Sequence, residues 1–191
     1  MKVSEEKIIE TAYTLFKQRG IRSTRMQHIA QACGTSLWDV SAIFESKKDL
    51  VLAIIRHIVN KKTVYLLISS SLSPSAVTEL NTFFRFVDET VGAFGAEIFA
   101  ELKRYHPLAL DQLKDVVDDK LIPCLIKNIQ RGLTEGFYRT ELDSEMYAST
   151  YFYILRSVLE SERDWSQTKK AITHINDVFL HGVLNVKGMR V

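Results

Sequence analysis

The sequence predicts an all-α protein, and three observations support that fold class. Apolar residues recur with helical spacing along almost the whole chain, and no segment alternates apolar and polar residues as a half-buried strand does. Serine, threonine and aspartate caps precede the apolar repeats, and glycines follow them. The pattern predicts a three-helix N-terminal domain over 1–48 and a helical bundle over 49–191.

Composition is that of an ordinary globular protein. The 191 residues are 46% hydrophobic and 25% charged, which is enough apolar material for a buried core. Charged residues interrupt each apolar run before it reaches the roughly 18 residues of a membrane span. The N-terminal stretch MKVSEEKIIE lacks the apolar segment of a secretory signal. We therefore expect a cytoplasmic protein with no membrane partner.

Residues that carry catalytic or metal chemistry are scattered. Cys33 and Cys124 lie far apart and outside any cysteine or histidine cluster, so neither a disulfide nor a metal site is predicted. His106, His174 and His181 are also isolated, and no catalytic or phosphate-binding motif occurs. The sequence predicts no enzyme, no cofactor and no metal.

Caps and glycines divide the first fifty residues into three short helices. Ser4 caps the first helix, which stops at Gly20. Thr24 opens a capping box of the form T-x-x-Q for the second helix, and Ser36 caps the third, whose buried positions extend to Phe44. Only the tripeptide GTS separates the second and third helices. A turn this tight is typical of a helix-turn-helix, in which the later helix enters the major groove of DNA.

Positive charge is concentrated at the same end of the chain. Residues 1–62 hold 11 Lys and Arg against 6 Asp and Glu, whereas residues 63–191 hold 14 against 17. Cationic side chains that neutralise phosphates release counterions and so favour nucleic-acid binding. An excess of this size also arises by chance, so it supports a DNA partner only together with the helix-turn-helix.

Taken together, these motifs resemble the DNA-binding domain of the TetR family of bacterial transcriptional regulators. The resemblance runs through I-x-x-x-A-x-x-L-F-x-x-x-G at 8–20, T-x-M-x-x-I-A at 24–30, CGTS at 33–36 and F-x-S-K-x-x-L at 44–50. A looser similarity covers GLTEGFYRTEL at 132–142. The resemblance to the family implies about nine helices, a homodimer packed through the last two, and a cavity for an unknown small-molecule effector in the C-terminal bundle.

The third helix departs from the family. Trp38-Asp39 and Ser41-Ala42 replace the glycine-threonine pair and the tyrosines that the family usually has there. Two interpretations of Asp39 stay open: a local cap on the first turn of its helix, or an acceptor for a cytosine amino group. Predicted DNA contacts are Thr24, Arg25, Ser36, Leu37, Trp38, Asp39, Ser41, Ala42 and Lys47.

The positive charges of this region supply the expected phosphate contacts. Lys47 matches the family's lysine at the start of the fourth helix, and Arg22, Arg25, His28 and Lys48 lie nearby in sequence. For Lys47 we favour phosphate contact over a solvated surface charge. Leu37 and Ala42 are candidates for contact with thymine methyl groups, and Trp38 is either a groove contact or part of the domain surface.

The C-terminal bundle offers two sets of candidate residues, each of which also suits an ordinary core. Aromatic residues among polar groups suit an effector pocket, and apolar or small residues on the last two helices suit a four-helix dimer interface. The pocket candidates are Tyr65, Phe86, Phe99, Tyr105 and Phe152. The interface candidates are Tyr151, Ile154, Val158, Ile175, Phe179, Gly182 and Val183.

The resulting prediction is a ligand-responsive regulator, in this family most often a repressor, that binds a double-stranded DNA operator as a homodimer. The alternative is a helical ligand-binding or interaction protein that has lost specific DNA binding, which the atypical third helix would suit. A salt-dependent DNA complex separates the two.

Overall fold

The computed structural model describes residues 3–106, 111 and 113–185, which form nine α-helices and no strand, so the all-α prediction is confirmed. A short π-helical segment, Val117–Leu121, precedes the seventh helix. None of the described helices has the length and apolar character needed to cross a membrane. The helices are α1 Glu5–Arg19, α2 Met26–Cys33, α3 Leu37–Ser41, α4 Lys47–Ser71, α5 Ala76–Tyr105, α6 Lys114–Val116, α7 Ile122–Glu135, α8 Ser144–Glu160 and α9 Trp165–Val183.

The chain divides into two compact units. Unit 1 comprises the described residues of 1–59 and 94–112, and unit 2 comprises those of 60–93 and 113–191. Helices α4 and α5 each contribute to both units. Unit 1 therefore contains the predicted helix-turn-helix together with parts of two longer helices.

The core of unit 1 follows the apolar stripe of α1. Ser4 accepts the Lys7 N–H at 3.2 Å as the N-cap, and the helix buries Ile8, Ala12 and Phe16, as the periodicity predicts. At its end Gly20 has φ 79°, and its N–H donates to the Phe16 carbonyl at 2.9 Å. Residues of α2, α3 and α4 complete this core: Ile29, Ala30, Cys33, Val40, Leu50, Val51, Ile54 and Ile55.

Two helix boundaries in unit 1 differ from the prediction. The N-cap position of α2 is Arg25, not Thr24, because the Thr24 side chain is fully buried and its hydroxyl donates to the Gly20 carbonyl at 2.9 Å. Helix α3 ends at Ser41 instead of extending to Phe44. Phe44 is nevertheless buried, and its N–H donates to the Val40 carbonyl at 2.9 Å.

Helix α5 is capped by a serine and interrupted at a glycine. The side chain of Ser75 caps its first turn by accepting the Thr78 N–H at 3.2 Å. Gly92 lies within the helix, whereas Gly95, with φ 71°, interrupts it. That backbone conformation is unfavourable for residues with a Cβ atom, so the break belongs to Gly95 alone.

Aromatic side chains form the centre of unit 2. The Phe83 ring lies 5.9 Å from Tyr151 and 6.0 Å from Phe152, both edge to face, and Phe179 lies 5.1 Å from Tyr151. The Tyr151 hydroxyl donates to Asn176 Oδ1 at 2.7 Å. Burial raises the pKa of Tyr151 well above its usual value. The hydroxyl is thus a neutral donor that fixes α9 against α8.

A charged cluster joins α7 to the start of α5. The Arg131 guanidinium donates to Glu135 at 2.6 Å, to Glu79 at 3.1 Å and to the Ser73 carbonyl at 3.0 Å. The second oxygen of Glu135 accepts the Ala76 N–H at 2.8 Å. The bond from Ala76 satisfies a backbone N–H that the start of α5 leaves without an intrahelical partner.

Close packing of Tyr138 on Gly132 explains part of the family-like stretch at 132–142. Tyr138 is fully buried, and its hydroxyl donates to the Ala76 carbonyl at 2.9 Å. A Cβ atom on Gly132 would lie 2.1 Å from the Tyr138 ring, well inside van der Waals contact. The absence of a side chain at this glycine therefore lets the tyrosine reach the start of α5.

We expect Gly132→Ala to destabilise the protein by about 1–3 kcal/mol, since the added methyl overpacks a filled core. Urea unfolding at a fixed protein concentration measures the change. Gly92→Ala is the matched control, because no atom lies within 4 Å of its Cβ position and alanine is the better helix former by about 1 kcal/mol. Equal stabilities for the two variants would contradict the packing described.

Candidate nucleic-acid interface

The turn between α2 and α3 has the geometry of a helix-turn-helix. Gly34 ends α2 in the left-handed conformation, with φ 70° and ψ 35°. Its N–H donates to the Gln31 carbonyl at 3.1 Å, and that of Thr35 donates to Ala30 at 3.0 Å. Glycine is the residue best suited to this αL position at a helix end. The chain thus reverses within three residues and starts α3 at Leu37.

Asp39 has the local role that its position in the first turn of α3 favours. Its Oδ2 accepts from the Thr35 hydroxyl at 2.8 Å, from the Ser36 N–H at 3.2 Å and from the Ser36 hydroxyl at 2.5 Å. The Asp39 N–H donates to Ser36 Oγ at 3.1 Å, which completes a capping box. These bonds confirm the cap that the sequence predicts. They commit Thr35, Ser36 and Asp39 to one another.

The solvent-exposed side chains of this helix share one face. Leu37, Trp38, Ser41 and Ala42 are all exposed, and their spacing places them together on a helix. Trp38 exposes 77% of its surface and Leu37 46%. Val40 lies on the opposite face and is fully buried. We call Leu37, Trp38, Ser41 and Ala42 the outer face of α3.

Lys47 binds backbone carbonyls of its own chain. Its ammonium group donates to the carbonyls of Ile21 at 2.9 Å, Thr24 at 3.1 Å and Arg22 at 3.3 Å. An ammonium group has three hydrogens to donate, and three acceptors occupy them here. The geometry therefore assigns Lys47 to the connection between α1 and α2, instead of the phosphate contact that the sequence favoured.

The α1–α2 connection has a second attachment within unit 1, on α5. Glu101 accepts the Arg22 N–H at 2.9 Å, and the Arg22 guanidinium donates to the Tyr105 hydroxyl at 3.3 Å. The same guanidinium lies 5.9 Å from the centre of the Tyr105 ring. Tyr105, predicted as a pocket residue, thus contacts the connection that Lys47 also holds.

The remaining predicted cations differ in their surroundings. Arg25 and Lys48 are exposed, whereas the His28 ring accepts the Arg25 backbone N–H through Nδ1 at 3.2 Å. Thr24, also a predicted DNA contact, is buried with its hydroxyl bonded inside the chain. Arg25 and Lys48 are therefore the exposed charges that remain beside the outer face in sequence.

Comparison with known proteins identifies this N-terminal segment. Residues 8–54 match the model of the bacterial regulatory proteins of the tetR family. This segment of the chain is thus similar to the N-terminal domain of tetR-family regulators. A 61-residue segment is also 41% identical to an uncharacterized HTH-type transcriptional regulator, YuxN, from Bacillus subtilis strain 168. That alignment covers 32% of this chain and 21% of the relative, so the chain matches about a fifth of the relative's length.

Solved structures share the fold of this chain along most of its length. A transcriptional regulator from Cytophaga hutchinsonii superposes with a TM-score of 0.78 at 17% identity, covering 94% of this chain and 98% of the other. A regulator from Saccharomonospora viridis, solved with choline, gives 0.66 at 20% identity, with 94% and 97% covered. The Bacillus subtilis FadR structure with stearoyl-CoA gives 0.65 at 12%, with 94% and 99% covered.

The predicted pocket residues are divided between the units. Phe99 and Tyr105 belong to unit 1, and Tyr65, Phe86 and Phe152 belong to unit 2. Phe86 and Phe152 are buried against Phe83, at ring distances of 6.2 Å and 6.0 Å. Tyr65 is 66% exposed and Tyr105 45%. Exposure of this size does not suit the lining of an enclosed cavity.

A small cavity lies inside unit 1. Its volume is about 10 Å³, which is close to the space that a single water needs. The cavity therefore cannot hold an effector in this conformation. Its lining consists of Tyr13, Phe16, Ile21, Val51, Ile54, Ile55, Phe94, Ile98 and Leu102.

The structure corrects three of the predicted dimer contacts. Tyr151 and Val183 have no exposed surface and Val158 is 8% exposed, because all three pack inside their own chain. Ile154, Ile175, Phe179 and Gly182 are partly exposed. Met146, Tyr153 and Val178, which the prediction missed, are 66%, 79% and 52% exposed. The sequence carries one sign of them: each lies three or four residues from another uncharged residue on the same side of its helix.

One group of potential metal ligands occurs among the described residues, although the sequence predicts none. Ligand atoms of Glu6, Glu10 and His57 lie within 4.8 Å of one another. Both carboxylates are exposed. Exposed acidic groups commonly lie this close without an ion.

We expect Lys47→Met to lower the free energy of unfolding by about 1.5–3 kcal/mol, because it removes a charged donor shared by three carbonyls. Lys48→Met is the matched control: the neighbouring side chain is exposed, and surface substitutions usually change stability by less than about 0.5 kcal/mol. Urea unfolding of both variants measures the difference. A loss that is the same in both would place Lys47 among the ordinary surface charges.

Proposed function

We propose that this protein is a cytoplasmic, ligand-responsive repressor that binds an operator as a homodimer. The observation that carries the proposal is the TetR-type helix-turn-helix of unit 1, whose outer face on α3 is exposed to solvent. In this proposal residues 1–48 bind DNA and residues 49–191 provide effector binding and dimerisation.

Phosphate contact is assigned to Arg25 and Lys48. Both are exposed beside the helix-turn-helix in sequence, at the N-cap of α2 and in the first turn of α4. Helix N-termini favour anions, and a cation there adds a direct ionic contact. Lys47 contributes by holding the α1–α2 connection in place.

The homodimer is assigned to the outer sides of α8 and α9. Met146, Thr150, Tyr153 and Ser157 share one side of α8, and none of them is charged. On α9 the corresponding uncharged stripe contains Ala171, Ile175, Val178 and Gly182. No atom of the chain lies within 4 Å of the Cβ position of Gly182, so a partner helix can approach closely there. Helix pairs with such stripes suit a four-helix interface.

Effector response is supported by the structural relatives. One was solved with choline and another with stearoyl-CoA. Such different ligands on one fold indicate that the pocket lining, and not the fold, selects the effector. An effector that binds one dimer geometry better than another shifts the population between them. Operator binding requires the two α3 helices about 34 Å apart, so such a shift changes DNA affinity.

Operator binding is tested by fluorescence anisotropy on duplexes selected from a random library. We expect binding that weakens as salt rises, with each phosphate contact adding about 0.9 to the slope of log K against log salt. Lys48→Ala and Arg25→Ala each flatten that slope by about one contact. Lys127→Ala, an exposed lysine on α7, leaves the slope unchanged. Binding that is indifferent to sequence and to both variants would favour the interaction protein that has lost DNA binding.

A charge on either stripe disrupts the proposed dimer. We expect Tyr153→Glu and Val178→Glu to halve the mass measured by light scattering at micromolar concentration, since each buries an unpaired carboxylate in the interface. Thr173→Glu is the control, because Thr173 is exposed on another side of α9. Circular dichroism shows whether each variant stays helical. Folded variants that remain dimeric would move the interface elsewhere.

A further inference from the structure

We propose that the outer face of α3 selects its DNA through the 5-methyl groups of thymine, with Trp38 and Leu37 as the contacting side chains. This inference rests on the proposed function, since it requires α3 to lie in the major groove. It specifies the class of operator: a site whose recognition depends on thymines placed under these two residues.

The polar side chains at the start of α3 are already used. Thr35 and Ser36 donate their hydroxyls to Asp39 Oδ2 at 2.8 Å and 2.5 Å. Ser36 Oγ in turn accepts the Asp39 N–H at 3.1 Å. Reading a cytosine amino group with Asp39 would compete with the capping box that starts the helix. Because the cap engages Asp39 Oδ2 and both hydroxyls, we assign base discrimination to the outer face instead.

What the helix presents to solvent is apolar apart from one hydroxyl. Trp38 and Leu37 are 77% and 46% exposed, and Ala42 is exposed beside Ser41. A serine hydroxyl pairs with acceptors and donors alike, so Ser41 distinguishes bases poorly. The discriminating surface is therefore the indole ring and the leucine side chain.

The major groove offers one apolar feature that differs between base pairs. Guanine and adenine are usually read by the paired donors and acceptors of Arg, Lys, Asn or Gln. The five residues of α3, LWDVS, include none of these. The thymine 5-methyl group is the remaining recognition element, and apolar side chains contact it.

Uracil substitution isolates this contact, because deoxyuridine pairs as thymine does but lacks the methyl group. An operator is first selected from random duplex DNA, and each thymine is then replaced in turn. We expect binding to weaken about 4-fold for each contacted methyl, and about 15-fold when both half-sites are substituted, from the transfer free energy of one buried methyl group. Substitution at thymines outside the contacts leaves the affinity unchanged.

Variants assign the effect to the outer face. Trp38→Ala or Leu37→Ala lowers affinity for the thymine duplex and abolishes the difference between thymine and uracil at its own contact. Leu72→Ala, with the same 77% exposure as Trp38 but in the turn that follows α4, keeps both the affinity and the difference between thymine and uracil. Circular dichroism confirms that the variants fold.

The outcomes separate this inference from the proposed function. A selected operator that binds equally in its thymine and uracil forms overturns the methyl readout and leaves the DNA-binding regulator in place. The same holds if the uracil effect persists in both alanine variants. Failure to select any sequence overturns the regulator and the readout together.

Discussion

The ammonium group of Lys47 donates hydrogen bonds to three carbonyls of the α1–α2 connection, and the geometry of unit 1 depends on that contact. Residues 20–25 join two helices without regular structure, so their carbonyls need partners from elsewhere. Lys47 is the first residue of α4, which buries Leu50, Val51 and Ile54 in the same core. The Lys47 hydrogen bonds, which we call the tether, therefore fix the start of α2 relative to α4.

A cation in the first turn of a helix is opposed by the helix dipole. The three carbonyl contacts offset that cost, and Asp49 in the same turn adds a favourable negative charge. On α5, the Glu101 carboxylate accepts the Arg22 N–H of this connection at 2.9 Å. Two charged side chains of opposite sign thus fix one six-residue segment. The arrangement gives α2 and α3 a defined position without using regular secondary structure in the connection.

Polar groups also have local partners at the start of α3. The hydroxyls and the carboxylate of the GTSLWD segment form the cap of the helix, and Val40 lies on its buried side. In the proposed DNA complex, base recognition falls to the outer face, and ionic attraction falls to Arg25 and Lys48 on neighbouring segments. Phosphate contacts position a protein on DNA while groove contacts specify the sequence, and here the two tasks fall on different residues.

Sequence patterns predicted those features of the structure that depend on residues close together in the chain. The caps at Ser4 and Ser36, and the glycine ends at Gly20 and Gly34, all depend on neighbours within a few residues. Thr24 matched a capping box equally well, but a carbonyl four residues earlier binds its hydroxyl once the side chain is buried. Sequence periodicity cannot distinguish these two uses of a threonine.

Long-range contacts account for the remaining differences. Lys47 meets carbonyls 23 to 26 positions away, and Glu101 meets Arg22 across 79 positions. Neither leaves a local signature. Tyr151 and Val183 had the apolar spacing of an interface, yet that spacing is the same for an intrachain core, and the fold buries both. Conversely, Tyr153 and Val178 are exposed because their helices present those sides outward.

The most direct test of this account is the side-chain ammonium spectrum of ¹⁵N-lysine-labelled protein, assigned with the Lys47→Met and Lys48→Met variants. Three carbonyl acceptors slow proton exchange with water, so we expect a resolved Lys47 signal that persists when operator DNA is added. The exposed Lys48 ammonium exchanges fast until DNA binds. A Lys47 signal that exchanges like that of Lys48, and that becomes protected only with DNA, would contradict the tether and restore Lys47 as a phosphate contact.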